Sequence, residues 1–142
     1  GETPFPAFYF EVAVAGLGSA SFLECSGLEQ EIEIEEYPEG GENRFIHRLP
    51  GRQKFGNLVL KRGMTADREL ADWFDSVVYS DFTPKSSVVL SLLSSETGEP
   101  LASWNVFDAF PVKWSGPSFD AQSSALAFET VELSFSFLRR AI

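Results

Sequence analysis

Apolar and polar positions alternate with a period of two over most of the chain, and the period shifts to about 3.6 in one place. From Phe8 to Val14 the apolar residues Phe8, Phe10, Val12 and Val14 share one face, the mark of a half-buried strand. Residues 29–37 alternate again, with Gln30, Ile32 and Ile34 facing one way and Glu29, Glu31, Glu33 and Glu35 the other. Strands are also predicted over residues 55–62 and over 87–93, where a continuous apolar run implies cover on both sides. A return strand over 101–110 puts Ala102, Trp104, Val106 and Phe110 on one face and extends through Trp114. Residues 125–138 read as the last long strand. Their apolar phase is even at Leu126 and Phe128 but odd at Val131, Leu133, Phe135 and Phe137, which predicts a bulge near Glu129 and Thr130.

The exception to this pattern is a helix predicted over residues 66–79. Leu70, Trp73, Phe74, Val77 and Val78 recur at i, i+3, i+4, i+7 and i+8, one stripe of a helix, with Arg68, Asp72, Asp75 and Ser76 on the other side. Thr65 or Ala66 suits the cap, and Asp67 and Glu69 place negative charge at the positive end of the helix dipole. Pro84 follows and stops the helix, because a proline biases its predecessor away from helical angles. One such helix cannot bury its stripe alone, so it must lie on the strands. Turn signals punctuate the rest: Gly16 to Gly18, Ser26-Gly27, a loop over 38–43 with Gly40-Gly41 at its tip, and Pro50-Gly51. The expected architecture is therefore one mainly β domain over residues 1–142, a barrel or sandwich with one flanking α-helix.

Composition narrows the chemistry. The 142 residues are 44% hydrophobic with 14 Phe and 3 Trp, enough for an aromatic core. A single cysteine, Cys25, excludes an internal disulfide. The single histidine, His47, lies in a predicted strand and reads as structural, which leaves serine or cysteine nucleophiles without a base. Zinc-ligand spacing, calcium-loop spacing and a glycine-rich phosphate loop are all missing, so no catalytic, cofactor-binding or metal-ligating residues are expected. Pairs such as Glu33 and Glu35 fit any solvated strand as well as they fit a glycosidase. No apolar run nears the roughly 18 residues of a membrane span, and Glu2-Thr-Pro-Phe-Pro6 is unlike a signal peptide, which predicts synthesis in the cytoplasm.

The net charge of -10 is unevenly placed. Residues 1–43 hold ten acids and no Lys or Arg, whereas residues 44–142 hold eleven of each sign. Arg44, Arg48, Arg52, Lys54, Lys61 and Arg62 come in succession before the next acid, Asp67. Two readings follow. In one, neighbouring strands of one subunit pair opposite charges on a solvated face. In the other, the acidic stretch of one subunit meets the basic stretch of a second, which gives register to an assembly. Nucleic-acid readout is disfavoured in either case, because an acidic chain repels phosphate.

Several stretches, in this order and spacing, carry a family resemblance. They are Phe22-Leu-Glu-Cys-Ser-Gly-Leu28, Glu36-Tyr-Pro-Glu-Gly40, Leu49-Pro-Gly51, Leu58-Val-Leu-Lys-Arg-Gly63, Trp73, Trp104 to Trp114 and Ala127 to Leu133. Together they resemble the tail-tube proteins of contractile phages and phage-tail-like injection particles, nearly end to end. The resemblance implies a non-enzymatic structural subunit, with no cofactor and no small-molecule substrate. Such subunits are β-barrels or sandwiches of two packed antiparallel sheets flanked by one α-helix, and they form hexameric rings that stack into a hollow tube, with sheath subunits, baseplate proteins and tube-terminating proteins as partners. Protein cargo or DNA, held non-specifically, would pass through the lumen. It also implies assembly in the bacterial cytoplasm and action in a phage tail or a released injection particle.

On that reading Glu29, Glu31, Glu33 and Glu35 are a candidate lumen or acidic strand face. The arm over residues 37–48 and its neighbours, Tyr37, Glu39, Gly40, Glu42, Arg44, Arg48, Arg52 and Lys54, are candidate contacts between subunits or rings. Two alternatives remain: a baseplate-proximal or terminal tube paralogue, and a barrel that binds a small apolar ligand.

Overall fold

The computed structural model describes residues 7–39, 42–79, 86–117 and 127–142, with backbone alone for 37–39 and 42–47. The first predicted strand is present as β1 (Phe8–Val14), which pairs antiparallel with β2 (Gly18–Phe22). Val12 is buried, and Phe10 and Val14 pack against the same core. After β2 come β3 (Glu24–Ser26), β4 (Glu31–Glu39), β5 (Glu42–Lys54) and β6 (Leu58–Gly63). Gly27, just after β3, has φ +85, and a Cβ there would overlap the Asn57 carbonyl, so this turn requires glycine. Next is the helix α1 (Glu69–Val78), followed by β7 (Ser86–Ser94), β8 (Pro100–Ser115), β9 (Phe128–Ser134) and β10 (Phe137–Arg140).

Eight of these strands form one antiparallel sheet in the order β2-β1-β7-β8-β9-β6-β3, with β10 added alongside β8. β8 is the pivot. Its first part pairs with β7 and β10, and from Phe110 onward it pairs with β9. Between the two lies Asp108, a non-glycine residue in the left-handed region at φ 56, and a register shift follows between Pro111 and Lys113. The sheet thereby turns over into two layers that face each other, a sandwich rather than a closed barrel. Val12, Phe22, Leu90 and Val106 from one layer meet Leu58, Leu60, Val131 and Leu133 from the other in a single core. Each fully buried aliphatic side chain contributes about 1.5–3 kcal/mol. At the edges, the Leu23 amide after β2 donates to the Lys61 carbonyl in β6 at 2.9 Å.

Three sequence expectations change here. The run over 87–93 is covered unevenly: Val88 and Leu90 are buried on one face, whereas on the other Leu93 is buried and Val89 is exposed. The last long strand has no bulge at Glu129 and Thr130, since its pairing with β6 is regular from Phe128 to Leu133. Glu129 takes an inward position in phase with Val131 and Leu133, so the odd phase holds throughout β9 and the break falls at residues 135–136, before β10. The helix begins later than predicted. The Thr65 hydroxyl accepts from the Asp67 amide at 3.3 Å, Asp67 Oδ1 accepts from the Glu69 amide at 3.2 Å, and Arg68 occupies the cap position without a side-chain bond.

Of the predicted stripe, Leu70 and Trp73 are buried and Phe74 and Val77 half-buried, but Val78 is 56% exposed. At 3.6 residues per turn Val78 lies about 80° around the helix from Leu70, on the far edge of the face that α1 turns to β8 and β2. Pro84, the predicted stop, falls outside the described residues.

Candidate assembly surfaces

β4 and β5 do not join the sandwich. They form a separate two-stranded antiparallel sheet, paired from Glu31 and Lys54 to Glu39 and Glu42. The segment 37–48, read from the sequence as a loop or arm, is thus strand-paired on both sides of the Gly40-Gly41 tip, which lies outside the described residues. Every described residue of β4 is exposed, and so is β5 apart from half-buried Gly51. Ile32, Ile34 and Leu49 are 54%, 63% and 48% exposed. Glu31, Glu33 and Glu35 share one face of β4 as predicted, while Glu29 precedes the strand and is also exposed. Of the predicted contact residues, Arg48, Arg52 and Lys54 are exposed on β5. Tyr37, Glu39, Glu42 and Arg44 are described by backbone only, and Gly40 not at all.

The opposite charges of these two strands meet within one subunit. Arg48 Nε lies 3.4 Å from Glu36 Oε1, its cross-strand partner, and Lys54 Nζ lies 3.5 Å from Glu33 Oε1. All four side chains are about half exposed or more, so each pair contributes between zero and about 1 kcal/mol. The first of the two charge readings therefore holds for these residues.

A second polar cluster is buried, and the sequence reading missed it. β6 and β9 pair Leu58 with Leu133, Leu60 with Val131 and Arg62 with Glu129, so two inward apolar alternations end in opposite charges placed across from each other. Arg62 and Glu129 are each 5% exposed. Arg62 Nε stands 3.4 Å from Glu129 Oε2, an ion pair without good hydrogen-bond alignment. Trp114 Nε1 donates to Glu129 Oε1 at 3.0 Å, Arg62 Nη1 reaches Asp67 Oδ2 at 3.4 Å, and the guanidinium lies 5.5 Å from the Phe22 ring centre. The cluster ties the turn before α1 to β6, β8 and β9. The Glu69 amide, with help from Arg62, holds the Asp67 carboxyl below its ordinary value. The signal was available in the alternation itself: a glutamate and an arginine at inward positions of two strands need each other.

Beside this cluster, Trp114, Met64 and Phe74 line a surface groove of about 370 Å³ with Asp67 and Asp75 at its rim. The space between α1 and the sheets is only about 20 Å³, room for a water. Burial pushes the Cys25 thiol up to about 11, far from a reactive thiolate. No group of three or more His, Cys, Asp or Glu among the described residues is placed to hold a metal ion.

Two packed antiparallel sheets with one helix are what the family resemblance implied, here as a sandwich rather than a closed barrel. Residues 6–139 match the family described as T4-like virus tail tube protein gp19. No curated protein matches the chain. Among solved structures, it is similar to a chain in the sheath-tube complex of an extracellular contractile injection system, PVC, in the extended state. The TM-score is 0.79 and the identity 30%, over 99% of this chain and 93% of that one. A chain in the sheath/tube terminator structure of the same system has TM-score 0.79 and 31% identity, over 99% of both. A chain in the tube-terminating cap of the anti-feeding prophage has TM-score 0.79 and 27% identity, over 99% of this chain and 93% of that one. Hcp1 from Flavobacterium johnsoniae shares the fold at 15% identity and TM-score 0.55. The chain belongs to the T4-like virus tail tube protein gp19 family and is a tail tube protein of the contractile injection type.

Proposed function

We propose that the chain is a non-enzymatic structural subunit that forms hexameric rings and stacks them into the inner tube of a contractile particle. The observation that carries this is the β4–β5 hairpin: a two-stranded sheet with three exposed aliphatic side chains and, among the described residues, no second layer is marginal in water by itself. Contact with further copies supplies the missing cover. The Glu31, Glu33 and Glu35 face then turns to the lumen or to the next ring, with Arg48, Arg52 and Lys54 beside it. Rings assemble in the bacterial cytoplasm, sheath subunits surround the tube, and protein cargo or DNA passes through the bore.

Six copies carry about sixty formal negative charges, so stacking needs countercharge and screening. Electron microscopy of the purified protein tests the reading: rings or hollow rods whose length changes with salt are expected. A protein that stays monomeric at high concentration would end it. Reversing Arg44 and Arg48 to Glu without any change in stacking would remove the electrostatic part. A terminal or baseplate-proximal role is the second reading, favoured by the similarity to chains in terminator and cap structures. Copy number per particle separates the two, many copies for the tube and few for an end piece.

A further inference from the structure

The Trp114 groove and the Arg139–Arg140 end of β10 have complementary chemistry and lie on different surfaces of one copy. The groove has an apolar floor, with Trp114 47% and Met64 45% exposed. Its rim is acidic. Asp75 has no ion-pair partner among the described residues, and the one cation lining the groove, Arg62, is already held by Glu129 and Asp67. β10 offers the reverse. Arg139 is exposed without an ion-pair partner among the described residues, Arg140 lies 5.8 Å from the Trp104 ring centre, and Ile142 beyond them is 59% exposed. Arg139 pairs across to Asn105, whereas Trp114 is nine residues farther along β8, beyond the turn at Asp108.

We propose that the groove receives the Arg139–Arg140 segment of a second copy. Asp75 and Asp67 face the guanidinium groups, and Trp114 and Phe74 take their apolar stems. This rests on the tail-tube reading and specifies one of its contacts. An arginine suits such a site because its planar cation stacks on an aromatic ring and bonds a carboxylate with two parallel donors. The hairpin of the second copy suits it poorly: β4 and β5 hold six carboxylates against four Lys and Arg, a net negative charge that the acidic rim repels. Because the arginines lie on β10 and the groove carboxylates on α1 and the turn before it, two different surfaces of the subunit, the contact is head-to-tail. Contacts of that kind propagate into rings or filaments rather than closing as a dimer.

A reciprocal charge exchange tests the proposal on the full chain. Asp75→Arg and Arg139→Asp are each expected to lower the yield of sedimentable rods about tenfold or more, and the double variant to return it to within about twofold of the parent. Both positions are exposed, and unchanged circular dichroism and melting will show that the variants fold. A bis-maleimide cross-linker applied to Asp75→Cys/Arg139→Cys in a Cys25→Ser background is expected to give a ladder of multimers. Singles that assemble like the parent, a double variant no better than the singles, or the absence of a ladder would each overturn the contact. If the parent itself makes no rings or rods, the tail-tube self-assembly reading fails first; parent rods with indifferent variants overturn this contact alone.

Discussion

Leu133 in β9 and Ile34 in β4 are aliphatic residues in strands of similar alternation, yet one is wholly buried and the other is 63% exposed. The difference lies in what stands opposite. β9 has β6 and β8 beside it and a second layer across the core, whereas among the described residues β4 has only β5. The same contrast holds for charge. Arg62 and Glu129 pair in the interior, while Arg48 and Glu36 pair in water. The sandwich body is complete within one chain. Among the described residues, the aliphatic side chains of the hairpin have no such cover.

The contrast can be broken most sharply at the buried pair. Glu129→Ala leaves the buried Arg62 with Asp67 as its remaining ion-pair partner and removes the acceptor of Trp114, so unfolding in denaturant should show a loss of about 3 kcal/mol. The loss of Arg48→Ala should stay below about 1 kcal/mol. Equal losses at the two sites would erase the distinction between interior and arm. Leu133→Ala is expected to destabilise by about 2–5 kcal/mol, through lost transfer energy and a residual cavity. Ile34→Ala should change the isolated subunit by about 0.5 kcal/mol or less while lowering rod yield. An Ile34→Ala protein that melts well below the parent would mean that the hairpin is part of the monomer's own core.

Two smaller effects concern ionisation. The Cys25 thiol titrates near 11 in the folded chain against 9.0 ordinarily, so the neutral form is favoured by folding. Its contribution is complete below pH 9 and is lost as pH rises toward 11, on the order of 1–2 kcal/mol. Comparing the parent with Cys25→Ser across that window measures it, and alkylation of the native protein at pH 8 should be slow until denaturant is added. Asp67 works with the opposite sign. Its folded value lies below 3.8, so its contribution is present above that pH and disappears as pH falls through the lower folded value. The side chain is 46% exposed and solvent screens it, so the difference between the parent and Asp67→Asn should be a few tenths of a kcal/mol and vanish in acid.

Much of the body was legible in advance, for local reasons. Phe10, Val12 and Val14 alternate because β1 has one wet face, and Leu70 and Trp73 recur at helical spacing because α1 covers the sheet with one side. Glu129 defeated the same logic. A charged residue at an inward position looks like a phase error until Arg62 is seen across from it, and their separation of 67 residues hides the pairing from any local pattern. The hairpin was legible as alternating charge, but its turn residues concealed that the strands continue through Pro38 to the tip.

Alternation, turn residues and one amphipathic stripe determined the strands, the helix and the mainly β class, because burial on one face imposes a period wherever an element meets a core. The order and spacing of the motifs determined the family. Only the tertiary structure decided that β8 turns over at Asp108 to make two layers, that Arg62 and Glu129 share the interior, and that β4 and β5 stand apart with their apolar residues in water. Each of those outcomes depends on which distant strand lies alongside, and register between distant strands is settled by packing of the whole chain rather than by any local stretch.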